Sequence, residues 1–339
     1  MNRTTKKDHF FCRLLIPALF IISACSSDGN IQQILGANVE APVFLDCRPV
    51  SPTEIAFSFS KPVRVTSLNF DPGLEILSVG EGREVTVRFA QPLEAGRRVT
   101  ADILVEDSGR NTLNVIVPFR ARNDRMPVLV FNELRTEFSR PRVEFVEFLA
   151  LEAGNLGAIR LFIAGSSLTS PVYEFPPAEV KAGEYIVLHL RTISEESIDE
   201  TGTNLALSGG NEAQDTARDF WIPGSAKLLH RTSALWLVDQ DDRIIDAVLL
   251  CENPADWGRN NSAAAAEFLA HNGAFLSDRN GSDRVPGPAD AVATRGTTAT
   301  RTISRDESIP AALQSDNWYI TATGNATPGR ENSARRHTP

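Results

Sequence analysis

Between residues 41 and 120, apolar and polar side chains alternate in several short runs. Clear examples are residues 54–59 (EIAFSF) and residues 99–105 (VTADILV). A period of two places successive side chains on opposite faces of a β-strand. Turn-forming residues separate the runs, among them Ser51-Pro52 and Asp107-Ser108-Gly109. This spacing predicts a β-sandwich of the immunoglobulin type over residues 41–120, which we call the first domain.

A second β-rich region follows a charged connector at residues 121–127 and extends over residues 128–332, which we call the second domain. Within residues 142–149 the alternation predicts that Phe145 and Glu147 share one face of a strand. A short helix is predicted at residues 262–270, capped by Ser262 and ended near Gly273. The pattern therefore predicts an all-β protein, and the family resemblances given below imply two immunoglobulin-like β-sandwich domains in tandem.

The N-terminal 24 residues have the composition of a secretory signal peptide. Basic residues precede the apolar run 14–22, and the small residues Ser23 and Ala24 follow it. The apolar run is shorter than the roughly 20 residues that cross a bilayer as a helix. The segment Ile22-Ser23-Ala24-Cys25 resembles the lipobox of bacterial lipoproteins. This resemblance implies cleavage before Cys25, a covalent lipid on Cys25 and a tether at residues 25–40; the alternative is an ordinary signal peptide.

The first domain resembles bacterial Ig-like domains of surface-layer and envelope proteins. The elements that carry the resemblance are residues 58–63 (SFSKPV), 92–96 (PLEAG) and 105–111 (VEDSGRN). The last element departs from the usual family pattern, because Arg110 separates the glycine from Asn111. Domains of that family mostly act as spacers or presentation units, so the resemblance implies such a role here.

The second domain resembles the lamin-tail domain through an ordered set of short motifs. These are residues 131–133 (FNE), 146–148 (VEF), 175–177 (FPP), 182–185 (AGEY), 207–209 (LSG), 245–248 (IDAV), 304–306 (SRD), 317–318 (NW) and 327–332 (TPGREN). The family's tryptophan before the acidic strand residue and its Asn-Pro after that strand are absent. Relative to the family, the chain carries insertions at residues 192–226 and 252–300, and residues 333–339 form a tail predicted to be disordered.

Charge argues against nucleic acid as a partner. Removal of residues 1–24 takes away four of the 34 Lys and Arg and one of the 43 Asp and Glu, which changes the net charge from −9 to −12. Phosphate backbones require a basic face. Outside the cytoplasm Cys47 and Cys251 either form a disulfide that joins the two domains or remain separate thiols.

The sequence contains few candidates for chemistry. No two histidines have a zinc-ligand spacing, and no nucleophile elbow or phosphate-binding loop is present. Glu133 and Glu147 have two interpretations: a calcium site, or carboxylates that accept hydrogen bonds within the fold, which is the favoured one. Trp221 and Trp257 lie near the insertions and are candidate interface residues. We therefore predict no catalytic residues, no cofactor and no metal.

These observations together predict a membrane-anchored exported lipoprotein of the cell envelope, on the periplasmic face or the cell surface. Its predicted role is that of a non-catalytic binding or structural module. The expected partner is an envelope or extracellular protein, a glycan or a matrix component. The alternative is an accessory component of an exported hydrolase or nuclease system.

Overall fold

The computed structural model describes residues 40–165, 167–274, 285–309 and 315–338. Strands dominate these ranges, which confirms the all-β prediction, and a single α-helix is present in them, Ser262–His271 (α1). The strands are Phe44–Ser51 (β1), Glu54–Asp71 (β2), Ile76–Val79 (β3), Gly82–Phe89 (β4), Arg98–Asp107 (β5), Thr112–Arg120 (β6), Leu129–Arg135 (β7), Phe145–Ala150 (β8), Gly154–Asn155 (β9), Arg160–Ile163 (β10), Tyr173–Glu174 (β11), Glu179–Val180 (β12), Tyr185–His189 (β13), Arg218–Trp221 (β14), Ser233–Val238 (β15), Ile244–Cys251 (β16), Val292–Ala293 (β17), Ile303–Arg305 (β18) and Trp318–Ile320 (β19).

Several sequence-based expectations fall outside the described ranges. They are the signal peptide, Cys25 and the tether up to residue 39. Residues 275–284, which belong to the predicted second insertion, also fall outside them. Within the described ranges, no helix is long and apolar enough to cross a bilayer.

The first domain is one six-stranded sheet that folds over on itself. The strand order is β3-β4-β2-β5-β6, and β1 also pairs with β2. The first half of the 18-residue β2 pairs with β1 and β4, whereas its second half pairs with β5. Side chains from both halves, including Phe57 and Val63, share one core. The sheet therefore supplies both layers of a sandwich.

The continuity of β2 was not predicted from the sequence. The alternation that predicts a strand ends at Phe59, and Pro62 lacks the N–H that a strand ladder normally uses. In the structure the pairing of β2 with β4 shifts register between Ser58 and Val63. Pro62 lies inside this irregularity, where the ladder to β4 requires no donor from it.

The second domain has three layers. The six-stranded sheet β14-β13-β8-β7-β18-β19 packs against the five-stranded sheet β11-β10-β15-β16-β17. Their facing side chains, such as Phe148 and Leu235, form the main core. Helix α1 covers the opposite face of the five-stranded sheet through Ala265 and Leu269, next to Trp236. This arrangement keeps both faces of the five-stranded sheet out of water.

The helix was predicted correctly, but its N-cap was not. The N-cap residue is Asn261, with a left-handed backbone (φ 57°) and no side-chain capping bond. Ser262 is instead the first helical residue and is completely buried. At the other end, Gly273 has φ 71° directly after the C-cap Asn272, as predicted. Packing of α1 against the sheet, rather than a capping hydrogen bond, therefore determines where the helix begins.

The two domains meet through a docked connector. The Asn123 backbone N–H donates to Gln240 Oε1 at 2.8 Å, and Gln240 Nε2 donates back to Asn123 O at 2.9 Å. Asn123 Nδ2 also donates to the carbonyls of Asn155 and Gly157 at 2.7 and 2.9 Å. Gly157 lies so close to the Ala95 carbonyl that a Cβ has no room there. These contacts hold the connector against the second domain.

Candidate functional site: a buried acidic pair

The outer face of the six-stranded sheet is polar yet buried, and Glu133 and Glu147 lie at its centre. A bulge between Phe131 and Glu133 turns Glu133 toward this face, and the β7–β8 register places it directly opposite Glu147. Both carboxylates are completely buried. Two such groups on adjacent strands are costly unless their oxygens are hydrogen bonded or share protons.

Glu133 is bonded by hydroxyl and amide groups from two other segments. The hydroxyls of Thr302 and Ser304 donate to its Oε1, the latter at 3.2 Å. Thr327 donates to Oε2 twice, from its backbone N–H at 3.0 Å and from its hydroxyl at 3.2 Å. Each of these bonds joins residues that are 169 or more positions apart in the chain. Glu133 therefore connects β7 to the C-terminal segment.

Glu147 connects the same face to the next residues of that segment. The Gly329 backbone N–H donates to Glu147 Oε2 at 2.6 Å, and Asn132 Nδ2 donates to Oε1 at 2.8 Å. Asn132 Nδ2 also reaches Glu307 Oε1 at 2.9 Å. The Tyr185 hydroxyl donates to Glu307 Oε2 at 2.9 Å. The result is a network of three acids that holds the C-terminal segment to the sheet.

Burial raises the pKa of both carboxyl groups of the pair. For Glu147 the pKa lies well above its ordinary value, because burial disfavours the charge and Glu133 adds repulsion. For Glu133 burial also raises the pKa, although the hydrogen bonds from Thr302 and Thr327 oppose the shift. Burial and mutual repulsion therefore make the doubly charged form of the pair less favourable than it would be in water.

The partners of the pair are N–H and O–H donors, which fits the structural interpretation of these acids. A hard cation such as calcium is bound by six to eight oxygen lone pairs, whereas here the amides of Gly329 and Thr327 point hydrogens at the carboxylates. Within the described ranges, no group of three or more His, Cys, Asp or Glu residues is arranged to hold a metal ion.

A second buried polar group lies on the same face, at β13 and β14. His189 Nε2 lies 2.7 Å from Asp219 Oδ1, and both side chains are completely buried. The Gln214 backbone N–H donates to Asp219 Oδ2 at 3.0 Å. The Trp221 ring stacks on the imidazole with centroids 3.7 Å apart. These three contacts all join residues of the second domain.

Trp221 was wrongly predicted as an interface residue, because it is 4% exposed. The parallel pairing of β13 with β14 places Trp221 directly beside His189. The segment predicted as the first insertion thus contributes a strand to the main sheet. The other candidate, Trp257, is partly buried against the helix-covered face.

The predicted alternative of a Cys47–Cys251 disulfide is also wrong, since both cysteines are free thiols. Cys47 lies in β1 beside a cleft of about 320 Å³ between the domains, whereas Cys251 ends β16 at the far end of the second domain. Burial raises the pKa of the Cys47 thiol to about 12. The fold therefore separates the two sulfur atoms by the length of the second domain.

Asp246 joins the two sheets of the second domain. It was not predicted as a site residue, although it lies in the motif at residues 245–248 (IDAV). Its Oδ2 accepts a 2.7 Å hydrogen bond from the Phe131 backbone N–H, and its Oδ1 accepts one from Ala247 at 2.9 Å. It thereby joins β16 of one sheet to β7 of the other. Burial raises its pKa to about 6. The signal in the sequence that could have identified Asp246 is a single acidic residue within an otherwise apolar motif.

A protein-family model named TP_1001_2nd and described as "protein second domain" matches residues 127–320. The chain belongs to this family. The matched residues extend from β7 to β19 and include Glu133 and Glu147. A relative from Treponema pallidum (strain Nichols), described as an uncharacterized protein, is 35% identical over 205 residues, which are 56% of this chain and 51% of the relative. The chain thus spans about half the length of that curated relative.

Two solved structures were also compared with this TP_1001_2nd family member. A DUF4876 family protein from Bacteroides thetaiotaomicron covers 88% of this chain and 96% of its own, with 14% identity and a TM-score of 0.28. L,D-transpeptidase 3 from Mycobacterium tuberculosis covers 44% of this chain and 81% of its own, with 11% identity and a TM-score of 0.18. At these TM-scores neither similarity indicates a shared fold or a shared activity.

Proposed function

We propose that this protein is an exported lipoprotein, anchored through Cys25, whose first domain holds a non-catalytic second domain away from the membrane. The observation that carries the proposal is the position of the chain's entry into the first domain. This entry lies at the end of the first domain that is opposite to the second domain.

Contacts at the two ends of β5 establish this position. Lys61 Nζ donates to the Glu40 carbonyl at 2.5 Å, and Lys61 also pairs with Asp107 at 3.4 Å, at the last residue of β5. At the first residue of β5, Arg98 pairs with Glu174 of the second domain at 3.1 Å. Ten strand residues extend over about 30 Å. The first domain thus separates the entry of the chain from the second domain by about this distance.

The junction between the domains supports a spacer with a fixed geometry. The reciprocal hydrogen bonds of Asn123 and Gln240 and the close approach of Gly157 to Ala95 hold the connector in place. Arg120 forms a bidentate ion pair with Glu174 across the same junction. A docked connector transmits the orientation of the first domain to the second.

The internal use of the buried acids supports a non-catalytic second domain that is similar to a lamin-tail domain. The motifs that carry the resemblance meet in one network, because Glu133 and Glu147 accept hydrogen bonds from Thr327 and Gly329 of the TPGREN motif. A catalytic acid must reach its substrate. These two carboxylates instead accept hydrogen bonds that hold the C-terminal segment.

Metabolic labelling of expressing cells with an alkyne fatty acid tests the anchor. Wild-type protein and the Cys12→Ala variant should carry the label and sediment with membranes, whereas Cys25→Ala should carry none. Cys12→Ala is the matched control, because it removes the same side chain from the predicted signal peptide. Label that persists in Cys25→Ala, or that is lost in Cys12→Ala, would overturn the proposal.

Protease treatment of intact and lysed cells then assigns the face of the membrane. Digestion of the second domain in intact cells would place it on the cell surface, and digestion after lysis alone would place it in the periplasm. In both cases the docked connector at residues 121–127 should resist limited proteolysis. Rapid cleavage there would contradict a spacer of fixed geometry.

A further inference from the structure

The end of the second domain that points away from the first domain is basic, although the whole chain is acidic. Strands β7, β14 and β16 end there, and β8, β15 and β18 begin there, as their pairings require. The connecting segments at this end, which we call the distal loops, are residues 136–144, 190–192, 222–232, 252–261 and 294–302. They carry eight Lys or Arg and four Asp or Glu, whereas the chain has a net charge of −9.

The distal loops form one connected surface. Arg231 connects its own loop to three others, since it pairs with Glu137 at 2.9 Å and Glu252 at 2.7 Å and donates to the Thr297 carbonyl at 3.1 Å. The Thr136 hydroxyl lies 3.2 Å from that of Thr297. These bonds hold the basic side chains on a common, ordered base, which lowers the entropic cost of binding.

Three arginines of this surface are available for a partner. Arg140, Arg142 and Arg295 are exposed. None of the three forms an ion pair with any residue of the described ranges, in contrast to Arg231 and Lys227. An unpaired guanidinium offers a planar fork that matches a carboxylate.

An exposed aromatic ring belongs to the same distal loop as two of these arginines. Phe138 is 42% exposed, and the Arg191 guanidinium lies over its ring with Cζ 4.2 Å from the ring centroid. Arg191 is itself held by Glu144, which accepts from Nε at 2.6 Å. The Arg191 guanidinium thus lies over the Phe138 ring, and Phe138 precedes Arg140 by two positions in the chain. An exposed aromatic ring in a loop that also carries two exposed guanidinium groups is suited to a sugar ring that carries a carboxylate.

We propose that the distal loops bind an anionic glycan, with Phe138 against a sugar ring and Arg140, Arg142 and Arg295 at its carboxylates. This inference deepens the proposed function and rests on it, since a presentation module needs a binding surface remote from its tether. A protein partner fits less well, because the centre of a protein interface is apolar. Among the described residues of the distal loops, Phe138 is the one large apolar side chain that is exposed, which is too little for such a centre.

Binding of the purified full-length protein to immobilised polygalacturonate tests the proposal, with the neutral methyl ester of the same polymer as the control ligand. The triple variant R140Q/R142Q/R295Q should bind at least tenfold more weakly. The triple variant R83Q/R97Q/R335Q removes the same charge from exposed, unpaired arginines elsewhere, and should bind within twofold of wild type. F138A should weaken binding at least fivefold without a change of charge. Affinity should fall steeply with added salt.

The outcomes separate this inference from the proposed function. No binding to polygalacturonate, equal losses in the two triple variants, or full affinity in F138A would each overturn the glycan site. Binding to phosphatidylglycerol vesicles in place of the glycan would also overturn it, in favour of a membrane contact. The assay uses protein in solution, so it does not depend on the anchor. Failure of the Cys25 labelling test would leave these results unchanged.

Discussion

Replacement of Gly329 by alanine tests how closely the C-terminal segment packs on the buried acids. Gly329 has φ +77°, and a Cβ there would lie 2.8 Å from Ala217 Cβ and 2.8 Å from Gln214 Cγ. Gly324 lies in the same segment with φ +75°, but a Cβ there would meet no atom within 4 Å. G324A is therefore a matched control that shares the backbone conformation and lacks the steric overlap.

The two substitutions should differ by the cost of the overlap. A left-handed backbone costs a non-glycine residue about 1–2 kcal/mol, and both variants incur this cost. Forcing an extra carbon into a closely packed contact costs roughly 1–3 kcal/mol more, and that cost applies to G329A alone. We expect G324A to lower the free energy of unfolding of the second domain by about 1–2 kcal/mol and G329A by about 2–5 kcal/mol.

Urea denaturation followed by tryptophan fluorescence measures this difference. All four tryptophans lie in the second domain, so the signal reports the unfolding of that domain and not of the first. With an m-value of about 2 kcal/mol/M, a difference of about 2 kcal/mol separates the two midpoints by about 1 M urea. The A217G substitution in the G329A background should recover part of the loss, because it removes one of the carbons that the new Cβ would contact.

Equal urea midpoints for G329A and G324A would refute the argument. They would mean that the C-terminal segment moves away from Ala217 at no cost, and that the hydrogen bond from Gly329 to Glu147 does not hold it in place. A loss in G329A that A217G leaves unchanged would assign the cost to Gln214 instead.

Three further predictions concern other parts of the fold. Asp246 has a folded-state pKa of about 6, above its ordinary value of 3.8, so its contribution to stability is complete below about pH 4 and is lost as pH rises through 6. The Asp246→Asn variant should therefore show a smaller fall of the urea midpoint between pH 4 and 7, and an unchanged slope would contradict the buried position. Gln240→Ala removes both hydrogen bonds to the Asn123 backbone, which should cost about 1 kcal/mol and accelerate hydrogen exchange of the Asn123 amide roughly fivefold. Trp221→Ala should lower stability by about 3–5 kcal/mol in thermal unfolding followed by circular dichroism, whereas the partly buried Trp257→Ala should cost clearly less; similar losses would contradict the stacked position of Trp221 on His189.

Some features of the site were accessible from the sequence in part. Alternation along residues 142–149 predicts that Phe145 and Glu147 share one face of the strand. The structure agrees, because Val146 and Phe148 lie on the other face, in the main core. The donors that meet Glu147 were not predictable, because Gly329 is 182 residues away. Trp221 shows the opposite failure: its place near a predicted insertion made it a candidate for an exposed interface, but strand pairing with β13 buries it.

The order of amino acids determines the local elements, because alternation and helical period depend on neighbours two to four positions apart. The all-β class and the helix at Ser262–His271 are readable for this reason. The tertiary structure alone decides which distant segments meet. It brings Thr327 to Glu133, closes the sheet of the first domain at β2, separates Cys47 from Cys251 and gathers the basic side chains in the distal loops. These outcomes depend on strand register and on burial, and both arise from packing between residues that are far apart in the chain.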